Sequence, residues 1–447
     1  MKRVLFVLLL GIGACGCSSG DEEPASEVVA VKTDPPTSSD AGAARKAENA
    51  DPEKADPATA TEPSFTYVAP ALTEEELRAG WISLFDGATL FGWDVPETAN
   101  WRVEDGCIVA DAREVSLLTT PFRFADFELR CDFHLASGGN SGVFLRTAAE
   151  PRSPAVDTYE LNIADVHPSH PTGSLVGRFV AENVPAVEGD WHTFHIVCDG
   201  SRIVVKLDDE QIVDFDDQTE NARSEGTIGL QMNSGRVAFR NVFLKPLHTS
   251  ELFNGQDLSG FRDVPGGKGA FTVIEGLIHA EGGPGFLETE QTFGDFILHV
   301  EANIQDEKAI ADGRPANSGV FFRAMAGTEK APSHGYEMQI QHDYQNGDRA
   351  QPLDFGSGGI YRREPARYVV ADNNTWFTET LIAQGNHFAT FVNGYQVLDW
   401  TDTRPPDPNP RKGQRLEAGH LSLQGHDPTT LLDFRSLRIH ELPAWTE

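Results

Sequence analysis

A short stretch, SGVFFRAMAGTEKAPSHGYEMQIQHD (residues 318–343), carries groups capable of chemistry within the pattern of two β-strands. Arg323 ends the first apolar run, Glu337 lies inside the second, and His342 follows it. A carboxyl group and a histidine can transfer protons, and a guanidinium can stabilise a developing negative charge. The stretch therefore predicts a functional site on a sheet.

Strand alternation decides which of these groups share a face. Tyr336 falls on one side of its strand, and Glu337 and Gln339 fall on the other. Arg323 has the same parity as Asn317 in the preceding run, so we predict that it lies on one concave face with Glu337. The alternative is structural, because a solvated carboxylate or an Arg–Glu pair between neighbouring strands is common.

A second histidine follows a later apolar run. His426 comes just after Gln424 in LQGHD, where a loop can present a base or a metal ligand. His342 is followed by Asp343 in the same way. For both histidines, the alternative is a solvated loop residue. The spacings HPSH and HDYQNGD are not diagnostic of zinc or calcium, so the sequence assigns no metal ligand and leaves the cofactor unknown.

The charge of the chain limits its partners. Its 447 residues include 36 Lys and Arg against 68 Asp and Glu, a formal net charge of -32. Such a chain repels phosphate backbones and anionic membrane surfaces, so we expect no nucleic-acid partner. The length suits two ordinary domains with additional segments.

The N-terminus predicts export. Residues 1–17 combine a basic start, an apolar run too short to span a bilayer, and IGAC, which is similar to a bacterial lipobox with Cys15 as the acylated residue. Cys17 and an ordinary cleaved signal are the alternatives. We expect a lipoprotein on the periplasmic side of the inner or outer membrane, or at the cell surface. Residues 18–72 have the composition of a disordered linker.

The body of the chain is an internal repeat. SLFDGATLFGW (83–93) returns as ELFNGQDLSGF (251–261), NSGVFLR (140–146) as NSGVFFR (317–323), and YELNIAD (159–165) as YEMQIQH (336–342). Further pairs follow in the same order. The repeat predicts two copies of one domain, 73–248 and 249–447, with a short helix capped by Thr73 and Glu76 at the entrance.

Each copy has an all-β pattern. Short alternating or apolar runs are separated by Gly, Asn, Asp and Pro, and Asn393-Gly394 marks a hairpin. Many strands without covering helices favour a sandwich of two antiparallel sheets. Cys131 and Cys198 have core parity, which allows either a disulfide or buried free thiols.

The motifs LFDG, DFEL, NSGVF.R, YE.QI, GGIY and LQ.H, taken in order along the two copies, resemble the 3-keto-disaccharide hydrolase domain family, and the resemblance covers nearly all of both copies. It implies two tandem concanavalin-A-like jelly-roll domains and a carbohydrate substrate. It also implies cleavage of sugars oxidised at C3: the ketone acidifies the C2 hydrogen, a base removes it, the C1 substituent leaves, and water adds.

The second domain is the predicted catalytic one, because the first lacks both histidine positions and the GGIY motif. The predicted catalytic residues are Glu337, Arg323, His342 and His426. The predicted substrate-binding residues are Asn317, Gln339, Tyr361, Gln424, Arg146 and Glu160. The alternatives are a non-catalytic carbohydrate-binding pair of domains and a surface scaffold.

Overall fold

The computed structural model describes residues 67–332 and 334–443. These residues form two antiparallel β-sandwiches of the jelly-roll type, one after the other, which confirms the predicted fold class. The predicted signal, Cys15 and nearly all of the predicted linker lie outside the described residues. Among the described residues, no helix combines the length and apolar character needed to cross a bilayer.

A short helix precedes the first sandwich. It is α1 (Glu74–Ala79), and the Thr73 side chain and Glu76 form the predicted capping box at its N-terminus. The helix ends at Gly80, which takes the left-handed conformation that glycine adopts without a steric penalty.

The first sandwich has an eight-stranded and a four-stranded sheet. The larger has the order β10-β9-β8-β5-β12-β3-β2, with β1 paired to β12, and the smaller has the order β4-β11-β6-β7. Its elements are β1 (Ile82–Ser83), β2 (Arg102–Glu104), β3 (Cys107–Ala110), β4 (Ser116–Thr119), β5 (Phe127–Leu135), β6 (Asn140–Thr147), α2 (Pro154–Asp157), β7 (Tyr159–Ile163), β8 (Trp191–Asp199), β9 (Arg202–Leu207), β10 (Glu210–Asp216), β11 (Thr227–Ser234) and β12 (Val237–Pro246).

The second sandwich repeats this plan with an eight-stranded and a five-stranded sheet. The orders are β15-β16-β25-β18-β21-β22-β23, with β13 paired to β25, and β14-β17-β24-β19-β20. Its elements are β13 (Ser250–Glu251), β14 (Phe261–Asp263), β15 (Ala270–Ile274), β16 (Leu277–Glu281), β17 (Gly285–Phe293), β18 (Phe296–Ile304), α3 (Glu307–Asp312), β19 (Ser318–Met325), β20 (His334–Ile340), a 3₁₀ turn (Gln345–Gly347), β21 (Phe377–Gln384), β22 (His387–Val392), β23 (Tyr395–Thr401), β24 (Gly419–Gly425) and β25 (Leu431–Glu441).

The predicted hairpin joins β22 to β23. Asn393 and Gly394 have φ of 48° and 74°, as a two-residue turn of this type requires. Asp208 and Asp209 make the corresponding turn between β9 and β10 with φ of 47° and 69°. The hairpins of the two copies therefore share one geometry despite different residues.

The three cysteines among the described residues are buried free thiols. On paired strands β5 and β8, Cys131 lies opposite Phe194 and Cys198 lies opposite Phe127. The two thiols are thus four positions apart along the strands, about 13 Å. A disulfide needs Cα atoms within about 7 Å, so this register decides between the two predicted alternatives.

Each core lies between the two sheets of its sandwich. In β5 the burial alternates strictly, with Phe127, Leu129, Cys131 and Phe133 facing inward. The cluster that fills the first core also includes Ile382 and Phe391 of the second sandwich. The two sandwiches therefore bury apolar side chains against each other as well as within themselves.

Candidate functional site

The candidate site lies on the five-stranded sheet, on the side that faces away from the core; we call this side the outer face of the second sandwich. Tyr336 and Met338 belong to the core, so the intervening Glu337 points outward with Gln339, as predicted. Phe321 of β19 lies opposite Glu337, and Gly319 lies opposite Gln339. Two neighbouring rows of residues therefore cross the outer face, one through Glu337 and Phe321 and the other through Gln339 and Gly319.

Neighbouring strand β24 completes those rows. Ser422 pairs with Phe321, and Gln424 pairs with Phe286 of β17. Gln424 Nε2 donates a hydrogen bond to Glu337 Oε1 at 3.1 Å, reaching across the position of Gly319. A Cβ at residue 319 would lie 3.2 Å from that same Oε1, so the glycine of NSGVFFR leaves room for the carboxyl group.

The cation beside Glu337 is Arg411, which sequence reasoning missed. Its guanidinium lies 3.1 Å from Glu337 Oε2 and 5.3 Å from the centre of the Phe321 ring. Arg411 belongs to the loop 402–418 between β23 and β24. Nothing in the local pattern of that loop distinguishes Arg411 from its neighbours Arg404 and Arg415.

Burial gives Glu337 an acidity suited to proton transfer. The residue is 5% exposed. This desolvation raises the pKa of Glu337 to about 7, although Arg411 and the hydrogen bond from Gln424 act to lower the pKa. A carboxyl group near half ionisation at neutral pH can both accept and return a proton.

The remaining predicted binding residues on this face form a hydrogen-bonded group. Asn317 Nδ2 and Gln339 Nε2 both donate to Asp354 Oδ2, at 2.8 and 3.1 Å. The backbone N–H of Tyr361 donates to the carbonyl of Glu337 at 2.9 Å, so GGIY extends the pairing of β20 and sets Tyr361 opposite Glu337. Asp354 was not predicted.

Several acceptors on this face are buried without a partner. In the part of the chain that the structure describes, Asn317 Oδ1, Gln339 Oε1 and Gln424 Oε1 lack a hydrogen-bond donor. A buried unpaired acceptor costs roughly 1–3 kcal/mol, so a group that donates to these oxygens would be stabilised here. Hydroxyl groups of a ligand would satisfy them.

The predicted placement of Arg323 is wrong. The residue is fully buried, has a φ of 45°, and lies where the β19 register shifts against both neighbouring strands. This bulge turns its side chain away from the outer face. The guanidinium instead donates to the carbonyls of Gly294 and Arg415 and pairs with Asp295 at 2.7 Å. Arg323 therefore ties strand ends together.

Arg146 repeats this arrangement in the first sandwich, which corrects its prediction as a binding residue. Its φ is 49°, it is fully buried, and it donates to the carbonyls of Ala125 and Arg223 and to Asp126. The arginine of the NSGVF.R motif is thus a structural bridge in both copies.

The two histidines also lie away from Glu337. His342 has the parity of Tyr336 and Met338, and its ring packs edge-on against Phe377 of the opposite sheet at 4.6 Å. Burial lowers the pKa of His342 to about 4, so it is neutral at pH 7. His342 was predicted as a catalytic residue, with a solvated loop residue as the alternative; the structure places it in the core, away from Glu337.

His426 lies in the loop after β24, as predicted, with Nδ1 3.3 Å from Asp427 Oδ2. Arg314 pairs with the same carboxylate at 3.5 Å. The structure therefore places the ring beside an ion pair beyond the strand end, and Gln424 is the residue of LQGHD that contacts Glu337.

The first sandwich keeps the central pair of this site. Gln231 Nε2 donates to Glu160 Oε1 at 3.1 Å, and Phe144 lies opposite Glu160. Burial raises the pKa of Glu160, opposed by the hydrogen bond from Gln231. Gln231 aligns with Gln424 in the repeat, a signal that could have identified it.

Aromatic and metal-ligating candidates outside this face contribute little. Trp191 is 37% exposed, and the Trp376 ring is half-buried beneath Arg435 at 3.7 Å. Among the described residues, Asp126, Asp199 and His248 have ligand atoms within 4.8 Å of one another. Because Asp126 already accepts from Arg146 and the Gly200 N–H, this cluster forms an ordinary surface network.

Comparison with known proteins agrees with the repeat. A family model described as "3-keto-alpha-glucoside-1,2-lyase-like domain" matches residues 80–245 and 248–440. A 3-keto-disaccharide hydrolase of Bacteroides thetaiotaomicron is 25% identical over 230 residues, which are 38% of this chain and 79% of that protein.

Solved structures give weaker overall similarity. A putative glycosyl hydrolase of Parabacteroides distasonis is 22% identical with a TM-score of 0.36, covering 40% of this chain and 99% of its own. The carbohydrate binding module CBM66 of Bacillus subtilis is 19% identical with a TM-score of 0.27, covering 34% of this chain and 95% of its own. Because the family model matches both sandwiches over most of their length, the chain belongs to the 3-keto-alpha-glucoside-1,2-lyase-like domain family, with two copies in tandem.

Proposed function

We propose that the second sandwich cleaves 3-keto-glycosides on its outer face, with Glu337 as the base and Arg411 as the electrostatic partner of the substrate. The observation that carries this proposal is the Glu337–Arg411 pair: a buried carboxyl whose pKa is raised to about 7, next to a guanidinium. The family match and the name of the Bacteroides relative support the substrate class.

The ketone determines the order of the steps. As a carboxylate, Glu337 takes the proton from C2, and the C–H electron pair forms the C2–C3 double bond while the C3 oxygen becomes an enolate. When the carbonyl re-forms, the C1–O bond breaks, and the departing oxygen takes up a proton to give the alcohol. Water then adds across C1 and C2, so the net reaction is hydrolysis.

Arg411 supplies the charge that the enolate needs. Its planar guanidinium now donates to Glu337, and the substrate's C3 oxygen would replace that partner. This exchange releases the carboxylate to act as a base and puts a cation on the oxygen where negative charge develops. On this proposal Arg411 has the role that the sequence analysis assigned to Arg323.

The unpartnered amide oxygens support a sugar ligand. Asn317 Oδ1, Gln339 Oε1 and Gln424 Oε1 are acceptors, and pyranose hydroxyl groups are donors. Phe321 and Phe286 of the same face pack against each other with their ring centres 5.4 Å apart. Phe321 is fully buried and Phe286 is 7% exposed, so the support for a sugar ligand comes from the amide oxygens and not from an aromatic stacking surface.

The test is release of the alcohol from a 3-keto-glucoside by the purified protein. We expect turnover by the wild type and a loss of roughly 10²-fold or more in Glu337→Gln. Glu160→Gln is the matched variant, because it changes the same position in the first sandwich, and it should retain turnover. Equal turnover by wild type and Glu337→Gln would refute the assignment of the base.

The predicted destination remains part of the proposal. We propose that Cys15 carries a lipid and that the two sandwiches work on the periplasmic side of a membrane or at the cell surface, as the apolar run before Cys15 indicates. Metabolic labelling with a fatty acid should mark the wild type and leave Cys15→Ser unlabelled.

A further inference from the structure

We infer that the first sandwich is a second carbohydrate site, one that binds an uncharged pyranose above Phe144 without cleaving it. The inference rests on the proposed function for the class of ligand. It differs from that function in assigning binding alone to the first sandwich.

The physical basis is a cavity of about 260 Å³ on the four-stranded sheet, on the side away from the core. Phe144, Glu160 and Gln231 line it from three adjoining strands, and Leu117 and Thr158 lie at its edges. Ligand sites for drug-sized molecules begin at about 300 Å³, so this cavity fits a single sugar ring.

The polar side of the cavity is arranged like the site in the second sandwich. Glu160 accepts from Gln231 as Glu337 accepts from Gln424, and Gly142 faces Gln231 across the strand pair. A Cβ at residue 142 would lie 3.5 Å from Glu160 Cγ and 3.6 Å from Gln231 Oε1. A glycine thus lies beside the carboxyl–amide pair in both copies, and at residue 142 these two distances are ordinary van der Waals contacts.

One buried hydrogen-bond acceptor, the side-chain oxygen of Gln231, belongs to the lining of this cavity. Gln231 is 7% exposed, and its Oε1 has no hydrogen-bond partner among the described residues. Its Nε2 is already used by Glu160, so the oxygen is left to accept from a ligand hydroxyl. Phe144 and Leu117 provide the apolar surface against which one side of a pyranose can pack.

The feature that separates the copies is the cation. The loop 217–226 corresponds to the longer loop 402–418, which brings Arg411 to Glu337. Arg152 is the cavity's lining arginine, and its side chain is 84% exposed and paired with Glu150. A solvent-exposed arginine already paired with a carboxylate stabilises an enolate poorly, so we expect binding without turnover.

The experiment follows the Leu117 methyl signals of the full chain by NMR, assigned with Leu117→Ile. The probes are methyl α-D-glucopyranoside, which cannot be turned over, and its 3-keto derivative added to Glu337→Gln. We expect saturable shifts of these signals with both probes. Phe144→Ala and Gln231→Leu should each weaken that binding roughly tenfold.

Phe321→Ala, the matched change in the second sandwich, should leave the Leu117 titration unchanged. Two variants are used because Phe144 also packs, whereas Gln231→Leu keeps the volume of the side chain; a thermal melt checks folding of each. No Leu117 shift at roughly tens of millimolar sugar would overturn the inference.

The turnover assay separates failure of this inference from failure of the proposed function. If Glu337→Gln loses turnover and Leu117 does not respond, only the inference falls. If Glu337→Gln keeps turnover and Glu160→Gln loses it, the first sandwich is catalytic, and both assignments are overturned.

Discussion

Glu337 and Arg411 form an ion pair whose state changes in the neutral pH range. Desolvation raises the pKa of Glu337 to about 7, and Arg411 holds that pKa below the value that burial alone would give. A base is active as its carboxylate, so the rate should rise as pH increases through about 7. The arginine therefore affects both the acidity of the base and the stability of the enolate.

We predict that Arg411→Ala lowers kcat/KM by roughly 10²-fold and moves the acid limb of the pH profile upward. Removing a neighbouring positive charge disfavours the carboxylate, which raises the pKa of Glu337 further. Arg411→Lys keeps the charge and should leave the limb closer to that of the wild type. The measurement is kcat/KM against pH, and an unshifted limb in Arg411→Ala would contradict the pairing.

Glu379 is a buried carboxyl that the proposed chemistry does not use. It lies in β21, fully buried, where the repeat places Phe194 in the first sandwich. Burial raises the pKa of Glu379 well above its ordinary value, opposed by the Gly358 backbone and the Ser357 hydroxyl. Burial therefore favours the protonated form of this group in the folded protein.

Because the pKa of Glu379 is higher in the folded protein than in the unfolded protein, the free energy of unfolding falls as pH rises from the unfolded to the folded pKa. Near pH 4 both states are protonated, and above that the unfolded state gains about 1.4 kcal/mol per pH unit until the folded pKa is reached. We predict that Glu379→Gln increases the free energy of unfolding relative to wild type at pH 7 and that the gain shrinks toward pH 4. Denaturant unfolding measures this, with the exposed Glu307→Gln as control.

At the scale of elements, strand alternation explains what the sequence could predict. The outward positions of Glu337, Gln339 and Gln424 follow from a period of two along β20 and β24. The same alternation that puts Tyr336 in the core also points His342, six residues later, toward the core, where it packs against Phe377. The burial of His342 was therefore predictable from the sequence.

Irregular elements explain what the sequence could not predict. Arg323 was assigned by the same alternation, but a bulge with positive φ reverses its side. Arg411 is 74 residues from Glu337 along the chain, in a loop without periodicity, so only the folded structure brings the two together. The central pair was therefore half predictable: the strand carboxyl was found and the loop cation was missed.

The bulge at Arg323 also leaves no room for a side chain at the first residue of the neighbouring strand β24. A Cβ at Gly419, the first residue of β24, would lie 2.3 Å from the carbonyl carbon of Arg323. We predict that Gly419→Ala destabilises the protein by about 1–3 kcal/mol, because backbone cannot move aside.

Gly294→Ala is the matched control for this prediction. Gly294 accepts a hydrogen bond from Arg323, yet a Cβ there would meet only Ala418 Cβ, at 3.9 Å. Denaturant unfolding of both variants tests the comparison, and equal stability would show that the approach at Gly419 does not constrain the fold.

At the scale of the whole molecule, the two sandwiches share packing and polar contacts. Ile382 and Phe391 belong to the cluster that fills the first core. The backbone N–H of Arg123 donates to Gln384 Oε1 at 2.9 Å, and the guanidinium of Arg367 pairs with the buried Asp86 at 2.9 Å. Contacts of this kind couple the unfolding of one sandwich to that of the other.

We predict a single calorimetric unfolding transition for the two sandwiches. Ile382→Ala should lower its midpoint, because a truncated buried isoleucine costs about 2–5 kcal/mol, and should broaden or split the transition. Ile310→Ala, at a side chain that is 67% exposed, should leave the midpoint unchanged. Two well-separated transitions in the wild type would rule out this coupling.

The shared packing has a consequence for synthesis on the ribosome. The chain emerges from its N-terminus, so Asp86 and Phe122 are made long before Arg367 and His387, which they contact. During that interval the nascent first half exposes the surface that the second sandwich later covers, and another nascent copy could bind there. When the chain is made without residues 1–17, so that it folds as it leaves the ribosome, slowing translation between the halves should therefore increase aggregation more than slowing it after residue 443.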